Sequence, residues 1–296
     1  MTTMVLDIGG TAIKSGLYKD GTLSDIREIP TEANLGGSHV TDRAVQLIAD
    51  YGKTVTFHRI GISTAGQVDP VRGRIIYANE NIPGYTGTML KDIMEQEFHV
   101  PAAVENDVNA AAIGEAAFGA GRNLTDFICL TYGTGVGGAI FSGGKIYSGS
   151  SYSAGEFGAM ITHPEDRNID EDIFSGCYEK YASVTALVKR AMILDPALSN
   201  GRIIFERMSD PKVKQIIDQW IMEIVYGLIT IIHMLNPACI ILGGGVMEQT
   251  YVPEQIRQNL YPNIMSSFRH VRIEKALLGN RAGMLGAAVL DQYHKT

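Results

Sequence analysis

The sequence predicts an α/β protein made of two related halves. Two strand–glycine turn–strand patterns, "MVLDIGGTAIKSGLY" and "FICLTYGTGVGGAIFSG", lie about 120 residues apart. Around them, short apolar runs of strand length alternate with longer runs of helical periodicity. The 296 residues are long for one domain and comfortable for two. A repeated hairpin at that separation suggests a duplicated architecture with a cleft between the halves.

The elements follow in order. "MVLDIGG" and "IKSGLY" read as a hairpin rather than a strand entering a helix, with a further turn at Asp20-Gly21. Helical periodicity covers Asp42–Tyr51, then come a strand, "RIGISTAG", and a loop ending in "NENIPGYTG". "TMLKDIMEQEF" is a short helix, and "VPAAVENDVNAAAIGEAAFG" is a strand, a polar turn and an Ala-rich helix. The hairpin pattern then returns near residue 127, with its own turn at Gly143-Gly144. A loop rich in acids precedes a helical region over Tyr178–Leu194. The run Ile216–Leu235 is the most apolar, but Asp218, Glu223 and His233 interrupt it, so a buried helix is expected rather than a membrane span. A strand, "CIILGGG", a helix, a strand, "VRIEKA", and a closing helix, "AGMLGAAVLDQYH", complete the chain. The domain boundary is expected near residues 115–125: 1–117 form the first domain, 118–281 the second, and 282–296 return to the first.

Composition narrows the classes. A net charge of −7 and a pI of about 5.5 argue against nucleic acid and anionic membranes as partners. "MTTMVLDIGG" has neither the basic region nor the apolar stretch of a signal peptide. Cys129 and Cys239 sit in apolar strand-like runs, and three widely spaced cysteines fit reduced thiols in a cytoplasmic protein.

Glycine clusters at Gly9-Gly10, Gly133–Gly138 and Gly243–Gly245 each follow an apolar strand. Exposed backbone N–H groups at such turns can cradle phosphate oxygens. A Walker A loop is excluded, because Ile13 stands where "GGTAIKS" would need glycine. Gly133, Gly135 and Gly138 match the letters of a dinucleotide fingerprint, but β-like sequence follows instead of the required helix. What remains is an acid-bearing hairpin turn and a second glycine hairpin. Asp7 either holds a hydrated Mg²⁺ beside phosphates met by Thr11 and the amides, or simply caps the turn. Asp107 in "ENDVN" has two readings as well: a base that takes a proton from a hydroxyl, or a cap on the helix starting near Val108.

The chain carries, in order, "VLDIGGTAIKSGLY", "GISTAGQVDP", "NENIPGYTG", "VENDVNAAAIGE", "LTYGTGVGGAIFSGGKIYSG", "AGEFGAM" and "IILGGGV". From Met4 to about Leu290 this set resembles the ROK family of sugar kinases, named for repressors, open reading frames and kinases. The resemblance implies an actin/hexokinase-like (ribonuclease H-like) fold, two related α/β domains around a cleft for ATP and sugar. It implies ATP with Mg²⁺, a sugar substrate and a homodimer. It makes Asp107 the general base in phosphoryl transfer to a sugar hydroxyl, with Asn106 on a neighbouring hydroxyl. Gly66, Asn81, Glu156 and Glu179 match further sugar-contacting positions, since vicinal hydroxyls suit carboxylates and amides. Asp7, Gly9, Gly10 and Thr11 on one side, and Gly133, Thr134, Gly135 and Gly137 on the other, match phosphate-contacting positions. Gly244 and Gly245 would lie under the adenosine. Many members carry a lysine where this chain has Ala12, so Lys14 is expected to be a solvated lysine.

One stretch departs from the pattern. Zinc-bearing members hold the metal with a histidine and three cysteines. Here Ala159 takes the histidine position, and Asp170 and Asp172 take two cysteine positions, leaving Cys177. Structural zinc favours Cys and His, so no zinc site is expected. The loop would be ordered by packing or by closure on sugar. The zinc-less "GEFG" pattern resembles a branch that includes β-glucoside kinases, so the acceptor is a hexose or a β-glucoside such as cellobiose. Two other classes are weighed. A repressor would need a helix-turn-helix before the first phosphate loop, and only six residues precede Asp7. A non-catalytic sugar sensor or another actin-like ATPase would not need the "ENDVN" and "AGEFG" motifs.

Overall fold

Strand β1 (Thr3–Ile8) is buried on both faces. Met4, Leu6 and Ile8 join a core with Val40, Ala44, Ile48 and Tyr51, while Val5 packs against Met284 and Ala287. Alternation along a strand sends successive side chains to opposite faces, so Asp7 shares its face with Val5. The computed structural model describes residues 1–293.

The chain forms two compact units. The first comprises residues 1–125 and 140–154 and the chain from 280 onward. The second comprises 126–139 and 155–279. The chain therefore passes between units within the second hairpin and again after "SYSA", an excursion inside the stretch 118–281 that the sequence reading assigns to one domain. Residues 294–296 of the predicted closing helix lie outside the described residues.

In the first unit, β1 continues into β2 (Ala12–Lys19) and β3 (Thr22–Pro30). Asp20 and Gly21 both have positive φ, as a two-residue turn matched to strand twist requires. Helix α1 (Gly37–Gly52) precedes β4 (Arg59–Thr64). The loop after β4 holds a small antiparallel hairpin, β5 (Gln67–Asp69) and β6 (Arg74–Tyr77), which the sequence reading takes as loop. Its turn is built by Asp69, whose carboxylate accepts from the N–H groups of Val71 and Arg72, and by Gly73 at φ +61°. Three-residue strands carry too little periodicity to be read in advance. Helix α2 (Leu90–Phe98), β7 (Ala102–Asn106) and α3 (Asp107–Phe118) follow. The sheet order is β3-β2-β1-β4-β7, with β1, β4 and β7 parallel and β2 and β3 antiparallel to their neighbours.

A second sheet is built from β8 (Phe127–Tyr132), β9 (Val136–Ser142) and β10 (Lys145–Ile146). Beyond the loop come α4 (Glu179–Ala182) and α5 (Val184–Leu194), separated at Ser183, whose side chain caps α5. Helices α6 (Gly201–Glu206) and α7 (Pro211–Leu235) lead to β11 (Cys239–Gly243), α8 (Tyr251–Leu260) and β12 (Arg272–Lys275). The order β10-β9-β8-β11-β12 repeats that of the first sheet. By length and composition α7 could cross a membrane, yet Trp220, Ile224, Leu228 and Ile231 are buried within the unit. The Trp220 Nε1–H donates to the carbonyls of Ala182 and Ser183, both at 3.0 Å.

The closing segment breaks into α9 (Ala282–Ala287) and α10 (Leu290–Tyr293). Glycine makes α9 possible. A Cβ on Gly286 would come within 1.7 Å of the Ala110 carbonyl, and one on Gly61 within 2.0 Å of that of Ala287. Helix and strand backbones here meet at a distance only hydrogen-for-side-chain replacement allows.

Candidate functional site

In the first unit the chemistry gathers at the ends of parallel strands. Asp7 pairs in register with Ser63 of β4, and Ser63 with Glu105 of β7. The Ser63 hydroxyl donates to Asp7 Oδ1 at 2.7 Å. Gly283 of α9 lies against the same carboxylate: a Cβ there would stand 2.8 Å from Asp7 Oδ1 and 2.9 Å from Ser63 Oγ. Burial raises the Asp7 carboxyl above its ordinary range, opposed by Ser63 and by Lys14, its cross-strand partner. Lys14 is thus half-buried and faces the site, where the sequence suggests a solvated lysine.

The turn after β1 is pinned from two directions. Gly9 N–H donates to Ala12 O at 3.0 Å, and the Thr31 hydroxyl donates to Gly9 O at 2.6 Å. Gly10 and Thr11 are exposed at its tip, and a side chain at Gly10 would meet open space.

Asp107 is the first residue of α3. Asn106 caps the helix, its Oδ1 accepting from the N–H groups of Val108 and Asn109 at 3.0 and 3.1 Å. Its Nδ2 donates to Gly66 O and to Asp107 Oδ1, each at 2.9 Å. Asn106 is therefore a cap and an orienting group at once. Gly66, at φ +95°, turns the chain after β4 so that its carbonyl meets Asn106. Beneath them buried Glu105 accepts from Asn106 N–H and Asn109 Nδ2. Burial pushes the Asp107 carboxyl up to about 6, and the nearby Asp7 charge adds to the shift. Donation from Val108 N–H and Asn106 works in the opposite direction. Asn81 lies on the exposed loop after β6, with its N–H on Asn79 Oδ1.

In the second unit Gly133, Thr134 and Gly135 form the turn between β8 and β9. Gly133 N–H donates to Gly135 O at 3.0 Å, and Val184 N–H donates to Gly133 O at 2.9 Å. Gly137 follows within β9. Gly244 has φ +104°, and a Cβ would lie 2.1 Å from Tyr132 O, so only glycine fits. Gly245 faces open space.

Glu179 opens α4 and touches both neighbouring turns: a Cβ on Gly135 would stand 2.7 Å from its Oε2, and one on Gly158 3.3 Å. Burial raises its carboxyl, opposed by donation from Val136 N–H, while the Glu156 charge adds to the rise. Glu156 is exposed at the start of the 3₁₀ turn Phe157–Ala159, and Ala159 N–H donates to its carbonyl at 3.1 Å. Asp172 binds Lys180 Nζ at 2.7 Å, and the buried Cys177 thiol donates to Ala159 O at 3.3 Å. Among the described residues no group of three or more His, Cys, Asp or Glu is placed to hold a metal.

Sequence reasoning missed Ser63, Gly283 and the placement of Lys14. The spacing of small residues in "AGMLGAA" carries a signal for Gly283, since it marks a helix face that meets backbone. Ser63 has no such signal apart from its register with Asp7.

A repeated five-stranded sheet with a glycine turn at each first strand, and a strand-end carboxylate pair, defines an actin/hexokinase-like (ribonuclease H-like) fold of the phosphotransferase type. A glucokinase of the ROK family from Streptomyces griseus, solved with glucose and AMPPNP, superposes with a TM-score of 0.84 at 31% identity, over 98% of this chain and 99% of that one. A β-glucoside kinase of Listeria innocua is 32% identical over 97% of this chain and 96% of its own length. A glucokinase of Halalkalibacterium halodurans is 30% identical, over 96% and 93%. Residues 3–293 match the ROK family, and the chain belongs to it.

Proposed function

We propose that this protein is an ATP-dependent sugar kinase in which Asp107 is the general base. The observation that carries the reading is the setting of Asp107: fixed at a helix start, oriented by Asn106, and raised to about 6. A carboxyl near that value is ionised at neutral pH yet basic enough to accept a proton, an effect worth about 10²–10⁴-fold in rate. The acceptor hydroxyl gives its proton to the Asp107 carboxylate as its oxygen bonds to the γ-phosphorus. The bond from that phosphorus to the β-phosphate oxygen breaks, and ADP leaves.

Each unit supplies roles by its chemistry. In the first, Asn106, Gly66 and Asn81 offer amide and carbonyl groups to sugar hydroxyls, and Gly9, Gly10 and Thr11 offer donors to phosphate. In the second, Glu156 and Glu179 offer carboxylates to sugar hydroxyls. Gly133, Thr134, Gly135 and Gly137 offer backbone donors to phosphate, and Gly244 and Gly245 a flat surface to adenosine. The residues fit Mg²⁺ as this ion binds nucleotides, through one or two carboxylates, waters and phosphates rather than a protein cage. Asp7 is a carboxylate held short of a full cationic partner, and it would hold the ion through water. Bound Mg²⁺ supplies neutralisation of phosphate charge.

A specific observation favours a β-glucoside acceptor as a second reading. Ala159 is small, exposed and hydrogen-bonded to Glu156, leaving room beside the proposed sugar carboxylate. The named β-glucoside kinase of Listeria innocua supports it. The two compact units are read as the two domains. A cytoplasmic homodimer completes the reading, supported by the burial of all three cysteines and by family membership. Coupled ADP release with ATP and Mg²⁺ tests it across glucose, mannose, fructose and cellobiose. Sugar-stimulated turnover is expected, and its absence with every sugar would overturn the kinase reading.

A further inference from the structure

We propose that Arg167 is a positioning residue for the acceptor side, its guanidinium closing the 156–179 loop so that Glu156 and Glu179 keep a fixed spacing. The inference rests on the acceptor role proposed for those two carboxylates. Arg167 Nη1 donates to Ile173 O at 2.6 Å and to Ser175 O at 2.8 Å, and lies 3.8 Å from Cys177 Sγ. The next residue reinforces the closure, Asn168 N–H donating to Ser175 Oγ at 2.7 Å. The carbonyls of Ile173 and Ser175 and the Cys177 sulfur converge on Arg167 Nη1, and the cation offsets the repulsion among them. A guanidinium suits this place because it is permanently charged, and its Nη1 makes charge-assisted hydrogen bonds to both carbonyls.

From this cluster the contacts run outward to both carboxylates. Cys177 Sγ–H donates to Ala159 O, and Ile161 and Cys177 form an antiparallel bridge. Tyr178 N–H donates to Met160 O at 2.7 Å. Those bonds fix the turn Phe157–Ala159 that follows Glu156. On the other side Tyr178 is fully buried, its hydroxyl bonded to Tyr132 and to Ile224 O at 2.8 and 2.9 Å. That anchor is possible because a Cβ on Gly227 would stand 2.2 Å from the Tyr178 ring. Glu179 therefore grows from a fixed point, while Glu156 is held through a loop whose closing cation is Arg167. A second clasp, His163 stacked on Tyr181 at 3.6 Å and paired with Glu223, ties the loop to α4 and α7. It does not involve Arg167, so the Arg167 variants are expected to keep the loop attached to both helices.

The test is the pair Arg167→Ala and Arg167→Lys, with the acceptor found in the sugar panel and hydrogen exchange over residues 160–178. Arg167→Ala is expected to raise the acceptor KM about tenfold, with the ATP KM within about twofold and kcat falling less than the acceptor KM rises. Arg167→Lys, keeping the charge and one donating nitrogen on a shorter reach, is expected to recover part of the loss. Exchange over the loop is expected to accelerate in Arg167→Ala. An acceptor KM that stays put while exchange accelerates would overturn the positioning role, as would equal rises in both KM values. Failure of the unsubstituted protein to turn over any sugar would sink the proposed function instead, and the exchange measurement does not depend on turnover.

Discussion

The two five-stranded sheets share a strand order and differ in what stands at their strand ends. In the first, Asp7, Ser63 and Glu105 are register partners across β1, β4 and β7. In the second, Thr131 pairs with Gly243, and Ala276 follows at the end of β12. Polar, ionisable groups occupy one row, and small or neutral groups occupy its repeat. The scaffold supplies a glycine turn after the first strand in both cases. Under the proposed function, phosphate contact would be a property of the repeated hairpin, while proton chemistry would depend on carboxylates carried by one copy only. The second unit brings its carboxylates, Glu156 and Glu179, on a loop and a helix outside the sheet.

The largest effect should come from Asp107→Asn. Its kcat is expected to fall by about 10²–10⁴-fold, with the ATP KM nearly unchanged. Glu179→Gln is the matched variant in the second unit, and its loss should appear mainly in the acceptor KM. Steady-state ADP release reads both. A larger loss of kcat in Glu179→Gln than in Asp107→Asn would reverse the division of labour.

Next comes the space around Asp7. Gly283→Ala puts a methyl group 2.8 Å from its Oδ1, so the carboxylate must move. A loss in kcat/KM of roughly tenfold is expected, since small displacements of positioning groups carry such penalties. Gly201→Ala, away from the proposed site in the second unit, would meet only the Val184 and Val246 side chains at 3.5 and 3.8 Å and should stay within about twofold. Equal effects from the two would mean that Asp7 is not held where α9 leaves it.

Protonation of Asp107 gives two further readouts. With the folded value at about 6, kcat/KM should decline as pH falls through 6 and the base is protonated. Stability moves in the opposite sense. The folded value lies above the ordinary 3.8, so the ionised form is disfavoured in the fold. No difference exists at pH well below 3.8, where both states are protonated; the penalty grows as pH rises and is complete above about 6. Two pKa units correspond to at most about 3 kcal/mol. Asp107→Asn should therefore melt higher than the unsubstituted protein at pH 7.5, with most of that difference gone at pH 3.5, by differential scanning calorimetry. A rise of equal size at both pH values would place the gain in packing and not in charge.

The sequence shows these turns and carboxylates clearly because they follow strands long enough to have a period. Asp7 and Asp107 each stand where an apolar run gives way to polar and glycine residues, so chain order alone places them at the carboxyl ends of strands. The hairpin Gln67–Tyr77 was not legible because three- and four-residue strands have no period. Ser63 and Lys14 were not legible because their roles depend on which strands become neighbours. Gly283 contributes by lacking a side chain, which matters only once α9 lies on β1. Arg167 sits in a run of polar residues that reads as solvated loop. Its partners are backbone carbonyls, and composition does not reveal where carbonyls point.

The smallest effect concerns the loop that distinguishes the second unit. Ala159→His places an imidazole three residues after Glu156, on a turn whose alanine is exposed. If room at this position admits a second sugar ring, the histidine should act on cellobiose more than on glucose. A single altered contact in such a pocket is worth about 1–3 kcal/mol, or roughly 10–200-fold between acceptors at the upper end. An exposed turn should give the lower end, a several-fold drop in the cellobiose-to-glucose ratio of kcat/KM. Both sugars must be measured on one preparation, because the ratio cancels changes in active fraction. An unchanged ratio would mean that Ala159 does not face the acceptor. The choice between hexose and β-glucoside would then rest on the loop after β6, where Asn81 is exposed.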